Sequence, residues 1–206
     1  MINFATAFIQ TGNILSIGDF YQGGYIAYLS GSAPNQHGII MAPTNTPSGS
    51  FKNGSGTGVV PYWGSTLALV SGSFSTAIGG GKPNTLLMLS SSLTSGSYVS
   101  GSSNRAANEA QLFSFNGYND WVIPSIQELS TIWNNLAVNS IGAPYSKWPT
   151  AFGGTGQDRS YMTSNQFNAS RIYSVQLQEG GLTPGGQVSD VQDKNVQLNL
   201  RLIRYF

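Results

Sequence analysis

The sequence predicts an α+β fold, because patterns typical of helices occupy the middle of the chain and strand-like patterns lie towards both ends. Two local signals are the clearest: a helix start at Ser125, and alternation of apolar and polar residues over 195–205. With 206 residues, 40% of them hydrophobic, the chain can build one domain with a sizeable core, which we place at 18–206. We expect the N- and C-terminal strands to lie close together in one sheet.

The first part of the chain predicts a short arm followed by two strands. Residues 1–17 alternate only weakly, which indicates an N-terminal arm or an edge strand. Residues 24–29 and 38–41 are strand-like and flank the turn-forming segment 30–36, so they are suited to pair as a hairpin. The Gly- and Ser-rich residues 43–82 indicate a long loop.

Two short helices are expected next. Asn84 is placed to cap a helix that runs as far as Leu89. A second helix is predicted over 105–113 and is expected to end at Asn116 and Gly117, because glycine accepts the left-handed backbone that follows many helices.

The third helix has the strongest start signal in the chain. Pro124 precedes Ser125, and Glu128 follows three residues later, which is the spacing of a capping box. Apolar residues then recur with the period of a helix that buries one face. They are Ile126, Leu129, Ile132, Trp133 and Leu136.

The last part of the chain predicts a loop and three strands. The loop, 139–158, is rich in Gly, Pro and aromatic residues, and the strands are 159–163, 170–178 and 195–205. In the last strand, apolar and polar residues alternate, which indicates one buried face and one wetter face. The apolar set is Val196, Leu198, Leu200 and Leu202, and the polar set is Gln197, Asn199 and Arg201.

The composition limits the classes of partner. Charged residues make up 8% of the chain, against about 25% in an average soluble domain, and its polarity comes from hydroxyl and amide side chains. Such surfaces suit extracellular exposure, virion assembly and sugar contact, because these groups both donate and accept hydrogen bonds. A net charge of +1 with scattered basic residues predicts no nucleic-acid partner. Apolar stretches of about five residues predict no membrane insertion.

The chain has no cysteine, which excludes disulfides and thiolate metal sites. Its first residues lack a basic segment followed by a long apolar one, so no secretory signal is expected. Both observations favour synthesis in a cytoplasm. A virion protein is made inside a cell and works outside, which fits them together with the low charge.

Residues that could carry catalysis are sparse. His37 is the single histidine, and no nucleophile or orienting acid is marked beside it, so we predict no catalytic residues and no cofactor. A glycosidase needs two placed carboxylates, and the eight acidic residues are dispersed. Asp190 and Asp193 are the least implausible calcium ligands, but calcium usually needs several carboxylates, so no metal site is predicted.

Ordered segments of the chain match the blocks of one known family. Residues 117–129, GYNDWVIPSIQEL, match a Gly-Tyr-x-Asp-Trp-x-(Leu/Ile)-Pro-(Ser/Thr)-x-x-Glu-Leu block. Residues 161–164, YMTS, are similar to a Tyr-Trp-Ser-Ser block in which Met162 replaces Trp, and residues 200–206, LRLIRYF, are similar to Val-Arg-x-Val-Arg-x-Phe.

Two early segments, 23–29 and 37–43, are similar to further blocks of that family. On these residues the chain, over about 18–206, resembles the DUF1566 or Lcl C-terminal domain family of bacterial and phage proteins, which is related to the C-type-lectin fold. The resemblance implies two or three helices packed on a small twisted antiparallel sheet with long loops. It also implies adhesion or receptor binding, although function depends on the site and not on the fold alone.

We expect the matched motif residues to be structural. Trp121 is expected to fill the core and Asp120 to cap or brace a turn, with a functional role as the alternative. Arg201 and Arg204 are expected to brace loops or carboxylates, with anion binding as the alternative. The full structural set is Asp120, Trp121, Pro124, Ser125, Glu128, Arg201 and Arg204.

The candidate ligand-binding residues lie in the loop after the third helix and in the strands that follow it. Glycan sites commonly pair aromatic rings with amide, hydroxyl and arginine donors, and this region offers that mixture. The alternative is that its aromatic residues anchor a long loop to the core. The candidates are Tyr145, Trp148, Phe152, Gln157, Arg159, Asn165, Gln166, Asn168 and Arg171.

These observations predict a non-enzymatic, virion-associated binding protein, most concretely a phage tail or tail-fibre receptor-binding module. Its expected partners are a host-surface glycan or receptor, other virion proteins and further copies of itself. We expect it on the virion, or otherwise on an extracellular surface. The alternatives are a capsid-decorating or appendage protein that acts through assembly, and a glycan-processing enzyme.

Overall fold

A computed structural model of the protein describes residues 14–46, 61–64, 69–72, 74–91, 105–138, 160–177 and 187–206. Within these ranges the fold is α+β, as predicted, with three α-helices and two small antiparallel sheets. The elements are β1 (Phe20–Tyr21), β2 (Gly24–Ser30), β3 (His37–Met41), α1 (Gly81–Ser90), α2 (Ala106–Leu112), α3 (Ile126–Trp133), β4 (Ser160–Gln166), β5 (Arg171–Leu177), β6 (Gln187–Asp193) and β7 (Ile203–Tyr205).

The first sheet has the order β1-β2-β3-β7 and joins both ends of the chain. Strands β2 and β3 form the predicted hairpin, and β7 pairs with β3 so that Tyr205 lies opposite Ile39. The prediction that N- and C-terminal strands lie close together is therefore confirmed. Of the predicted arm 1–17, only residues 14–17 are described, and they form no strand.

A β-bulge in β2 decides which side chains face the helices. The register between β2 and β3 shifts between Ile26 and Tyr28, which leaves Ala27 as the extra residue. Ile26 packs in one core cluster, whereas Ala27 and Tyr28 both belong to the cluster around α3. A bulge of this kind turns two consecutive side chains towards one face, and here it brings Tyr28 to the face that carries Ile39.

The two shorter helices differ from their predictions at one end each. Helix α1 begins at Gly81, and Asn84 is buried inside it instead of capping it, because its amide donates to Ser75 O (2.8 Å) and Ser164 Oγ (2.9 Å). Helix α2 ends at Leu112, before the predicted stop. Asn116 and Gly117, with φ of 52° and 82°, instead form a tight turn.

Helix α3 matches its prediction. The Ser125 side chain accepts from the Glu128 amide (3.3 Å), and the Glu128 carboxylate accepts from the Ser125 amide (2.7 Å), which completes the capping box. The predicted stripe is buried at Leu129, Ile132 and Trp133. A π-helical turn, Asn134–Val138, continues the helix. Within the described residues, no helix is long and apolar enough to cross a membrane.

The second sheet, β4-β5-β6, contains a strand that the sequence did not predict, β6. The predicted strand 195–205 was wrong over most of its length, since only β7 is a regular strand. The expected wetter face is also absent, because Asn199 and Arg201 are buried together with Leu198 and Leu200. This segment joins the chain that follows β3 to the start of β4: the Thr46 amide donates to Leu200 O, and the Asn199 amide donates to Ser160 O.

Candidate functional site

The Glu128 carboxylate is the centre of a buried hydrogen-bond network. It is fully buried and accepts four hydrogen bonds: Oε1 from the Gly79 amide (2.7 Å) and the Tyr205 hydroxyl (2.7 Å), and Oε2 from the Ser125 and Gly81 amides (2.7 and 3.0 Å). One side chain thus joins the start of α3, the start of α1 and strand β7. Burial, followed by the negative charge of Glu128, raises the pKa of Tyr205 well above its usual range.

Asp120 and Arg204 form the second polar anchor of the matched motif. The Arg204 guanidinium donates from Nε to Asp120 Oδ1 (2.7 Å) and from a terminal nitrogen to Oδ2 (3.1 Å), and it also reaches Gln22 Oε1 (2.7 Å). It lies 4.0 Å from the centre of the Tyr118 ring. The hydrogen bond from Arg204 lowers the pKa of Asp120. This arginine is therefore engaged within the fold.

The remaining motif residues also contact the core. Trp121 is buried, and its indole N–H donates to Tyr118 O (3.0 Å). The Pro124 carbonyl accepts from the Ser164 amide (2.8 Å). Arg201 is buried and donates to Asn45 Oδ1 (2.9 Å) and Ala42 O (3.1 Å). Each of these contacts braces a loop or turn.

Of the nine candidate ligand-binding residues, five lie outside the described residues: Tyr145, Trp148, Phe152, Gln157 and Arg159. Asn165 is described and is buried, with Oδ1 accepting from the Ile126 amide (2.8 Å) and Nδ2 donating to Ser75 O (2.9 Å). Its amide group is committed to the fold and does not face a ligand.

Gln166 is engaged with a buried lysine. Its Oε1 accepts from the Val70 amide (2.9 Å) and from Lys194 Nζ (2.6 Å), and that ammonium lies 5.0 Å from the centre of the Trp63 ring. Burial lowers the pKa of Lys194 to about 8. Gln166 thus connects the loop at Val70 to the end of β6.

Asn168 and Arg171 are exposed at the β4–β5 turn. Asn168 Oδ1 accepts from the Ser170 and Arg171 amides (2.9 and 2.8 Å), and the Arg171 side chain pairs with Asp193 (3.3 Å). These two residues are at the surface, and their described contacts belong to the turn and the strand beside it.

The four described candidates do not form one exposed patch along the second sheet, because Asn165 is buried, whereas Asn168 and Arg171 are exposed at a turn. Ser160, which directly follows Arg159 in the chain, begins β4, whereas Asn168 and Arg171 flank the turn at its other end. The six steps from Ser160 to Gln166 correspond to about 20 Å of strand. Ser160 therefore lies at the end of β4 opposite to Asn168.

A surface pocket of about 270 Å³ lies elsewhere, at the edge where β2, β3 and β7 meet the loop before α1. Its side-chain floor and walls include Tyr28, Ile39 and Tyr205, and Ser30 and His37 lie at the exposed end. The complete lining is Tyr28, Ser30, His37, Gly38, Ile39, Ile78, Gly79, Tyr205 and Phe206.

The walls of this pocket are held in place by the networks described above. The Tyr205 hydroxyl donates to Glu128 and accepts from the Lys82 amide (3.3 Å), so its ring is fixed. Phe206 also lines the pocket, and its ring packs edge-to-face on Tyr21. Gly38 allows β2 to approach closely, since a Cβ there would lie 1.9 Å from Tyr28 O.

The sequence does not predict this pocket. His37 was considered only as a possible catalytic residue, and Tyr28, Ser30 and Tyr205 were given no role. The predicted hairpin could have indicated part of it. Ser30 and His37 flank the hairpin loop, and residues paired across two strands face the same side of the sheet. Tyr205 could not be added by local reasoning, because its place depends on pairing with β3.

The described residues hold no group of three histidine, aspartate or glutamate side chains placed to bind a metal ion. The two acidic residues considered for calcium have other contacts: Asp193 pairs with Arg171, and Asp190 accepts from the Val191 amide (2.7 Å) and the Gln192 side chain.

The fold and the pocket define an α+β protein with two small antiparallel sheets and a surface pocket lined without carboxylate, lysine or arginine side chains. No protein-family model matches the sequence, and no curated protein matches it significantly.

Proposed function

We propose that this chain is a non-enzymatic binding module with a C-type-lectin-like fold, carried on a virion as a phage tail or tail-fibre protein that contacts a host-surface glycan or protein. The observation that carries the proposal is the pocket between β2, β3, β7 and the loop before α1. It combines an apolar floor with a few polar groups at its open end, which is the usual composition of a small-ligand site.

The use of charge within the fold supports a binding role for the pocket and the surface loops. Glu128, Asp120 and Arg204 are engaged in hydrogen bonds that position secondary structure. Recognition therefore depends on uncharged polar and aromatic groups, which is consistent with a chain that is only 8% charged. The matched sequence blocks support the same family of adhesion domains.

A shallow site of this size binds weakly as a single copy. Several copies on one particle raise the apparent affinity without any new contact, by factors of about 10² to 10⁴ when the geometry allows simultaneous engagement. We therefore propose that the chain self-associates or is displayed in several copies on a multimeric appendage.

The test is binding of the purified chain, displayed in many copies on beads, to an array of bacterial surface polysaccharides and to intact bacterial cells. We expect binding that falls in Trp148→Ala or Arg159→Ala if the 139–159 loop takes part, and in Tyr28→Ala if the pocket does. Absence of binding to every surface, together with tight assembly onto purified virion proteins, would replace the receptor-binding role by a structural one. Release of soluble sugar from a polysaccharide would replace it by an enzymatic one.

A further inference from the structure

The pocket presents two adjacent rows of side chains on one face of the first sheet. Tyr28, Ile39 and Tyr205 are cross-strand neighbours in the first row, and Ser30 and His37 form a cross-strand pair in the second. Residues two apart on a strand face the same side and lie about 7 Å from each other. An apolar row thus lies directly beside a polar row.

The polar row is available to a ligand. His37 is exposed, and its one described contact is a 3.4 Å approach of Nδ1 to Asn35 O. Within the described part of the chain, the hydroxyls of Ser30 and Tyr28 make no hydrogen bond to protein. A hydroxyl and a neutral imidazole can each donate and accept, which suits a partner whose own hydroxyls do both.

The lining disfavours charged ligands. None of its nine side chains carries a carboxylate, an ammonium or a guanidinium group. The Glu128 carboxylate behind Tyr205 is saturated by four donors and fully buried. An anionic sugar or phosphate would lose water without gaining a lysine or arginine partner, which is costly. The lining therefore favours a neutral ligand.

The volume restricts the ligand to one ring. About 270 Å³ lies just under the range of roughly 300 to 1,000 Å³ typical of drug-sized ligands. Because the polar row lies at the exposed end, a longer molecule can continue from the pocket into solvent.

We infer that this pocket holds a single uncharged pyranose unit, with its apolar face on Tyr28, Ile39 and Tyr205 and its hydroxyls on Ser30 and His37. The inference rests on the proposed function and names the ligand class of that site. A pyranose fits both rows at once, because its C–H groups lie on its faces and its hydroxyls project from its edge. An aromatic or aliphatic group would leave the polar row without partners.

The direct experiment uses saturation-transfer difference NMR and amide chemical-shift titration with methyl glycosides of glucose, galactose, mannose and N-acetylglucosamine. Methyl glucuronide and sialic acid serve as the charged comparison. We expect millimolar binding of at least one neutral glycoside, with shifts at Ser30, His37 and Gly38, and weaker or no binding of both acids.

Matched variants identify the contacts. Ser30→Ala removes one hydroxyl and should weaken binding roughly 2- to 10-fold, the value of one hydrogen bond, whereas Ser32→Ala in the exposed hairpin loop should not. Tyr28→Ala removes a wall and should abolish detectable binding, whereas Tyr28→Phe keeps the ring. Tyr25→Ala is the control for losing a half-buried tyrosine from the same strand, and unfolding curves identify any variant that fails to fold.

The outcomes separate this inference from the proposed function. If the chain binds cells but no neutral glycoside binds, if an acidic sugar binds best, or if Tyr28→Ala binds like the wild type, the pocket assignment is overturned while the binding module stands. If a neutral glycoside binds in the pocket but no cell surface is recognised, the ligand class stands and the receptor-binding role falls. Binding to neither removes both.

Discussion

Replacing Glu128 by Gln tests whether the buried carboxylate holds the fold together. The substitution keeps the shape of the side chain but leaves one oxygen where the carboxylate has two. That oxygen can serve only one of the two donor pairs, Gly79 with Tyr205 or Gly81 with Ser125. The new amide N–H groups point at the other pair, so two donors lose their acceptor.

The expected cost follows from those two lost contacts. A hydrogen bond to a charged group contributes about 1.5 to 3 kcal/mol, so the loss is about 3 to 6 kcal/mol before relief of the buried charge is counted. We expect a net loss near the lower limit, about 3 kcal/mol. In a chain of this length that corresponds to a fall of about 6 to 12 °C in Tm.

Urea denaturation followed by circular dichroism measures this, and Glu109→Gln is the matched control. Glu109 is also a helical glutamate, and burial raises its pKa, but its side chain has no described hydrogen-bond partner. We expect its variant to change the free energy of unfolding by less than about 0.5 kcal/mol, in the stabilising direction. The reasoning is refuted if Glu128→Gln lowers the free energy of unfolding by less than about 1 kcal/mol relative to this control. The comparison requires that the slope of this free energy against urea concentration is the same in both variants.

Three further predictions concern the free energy of unfolding. Lys194 has a pKa of about 8 in the fold and a usual value of 10.5, so between these values the unfolded chain binds more protons. Stability should therefore rise by about 1 to 2 kcal/mol from pH 7 to pH 9.5 in urea titrations, and a Lys194→Met variant that shows the same rise would contradict the assignment. Because Arg204 lowers the pKa of Asp120, stability contributed above pH 3.8 should be lost as the pH falls below it. Asp120→Asn should remove this loss of stability at low pH and should lower the free energy of unfolding by about 1 kcal/mol at pH 7, as measured by chemical denaturation. If stability falls with pH in the variant as it does in the wild type, the Asp120–Arg204 pair contributes nothing. Gly81→Ala should destabilise by about 2 kcal/mol although alanine favours helices by about 1 kcal/mol, because its Cβ would lie 2.7 Å from Glu128 Oε2 and from Ile123 O. A raised Tm in this variant would show that the helix start relaxes at no cost.

Features encoded within a few residues were predictable. The Ser125–Glu128 capping box needs only a three-residue spacing, and the β2–β3 hairpin needs two short strands and a turn-rich segment. Both appear in the structure as predicted. The structural interpretation of Trp121 and Arg204 agrees with their contacts, because the residues around them in the motif already indicated a turn and a closing strand.

Features that depend on distant partners were not predictable by the same reasoning. Asn84 resembles a helix cap in sequence, but its amide is used by Ser164, 80 residues away. The alternation over 195–202 indicated one wetter face, but the segment is hydrogen-bonded to the chain after β3 and to β4, and Arg201 is buried against Asn45. The pocket combines strands from opposite ends of the chain, and no local pattern contains that information.

The pairing of β3 with β7 closes the chain into a ring of secondary structure. The segments that connect successive elements are therefore attached to this ring at both ends. Lengthening a connecting segment changes the free energy of folding little, because doubling the length of a flexible loop adds only about 0.6 kcal/mol of closure entropy. The segment 139–159 leaves the end of the α3 helical region and returns at Ser160, so both of its attachment points are set by the ring. Such a frame permits changes in the sequence and length of the segments between its elements, whereas a single methyl group at Gly81 or Gly38 would meet the frame itself.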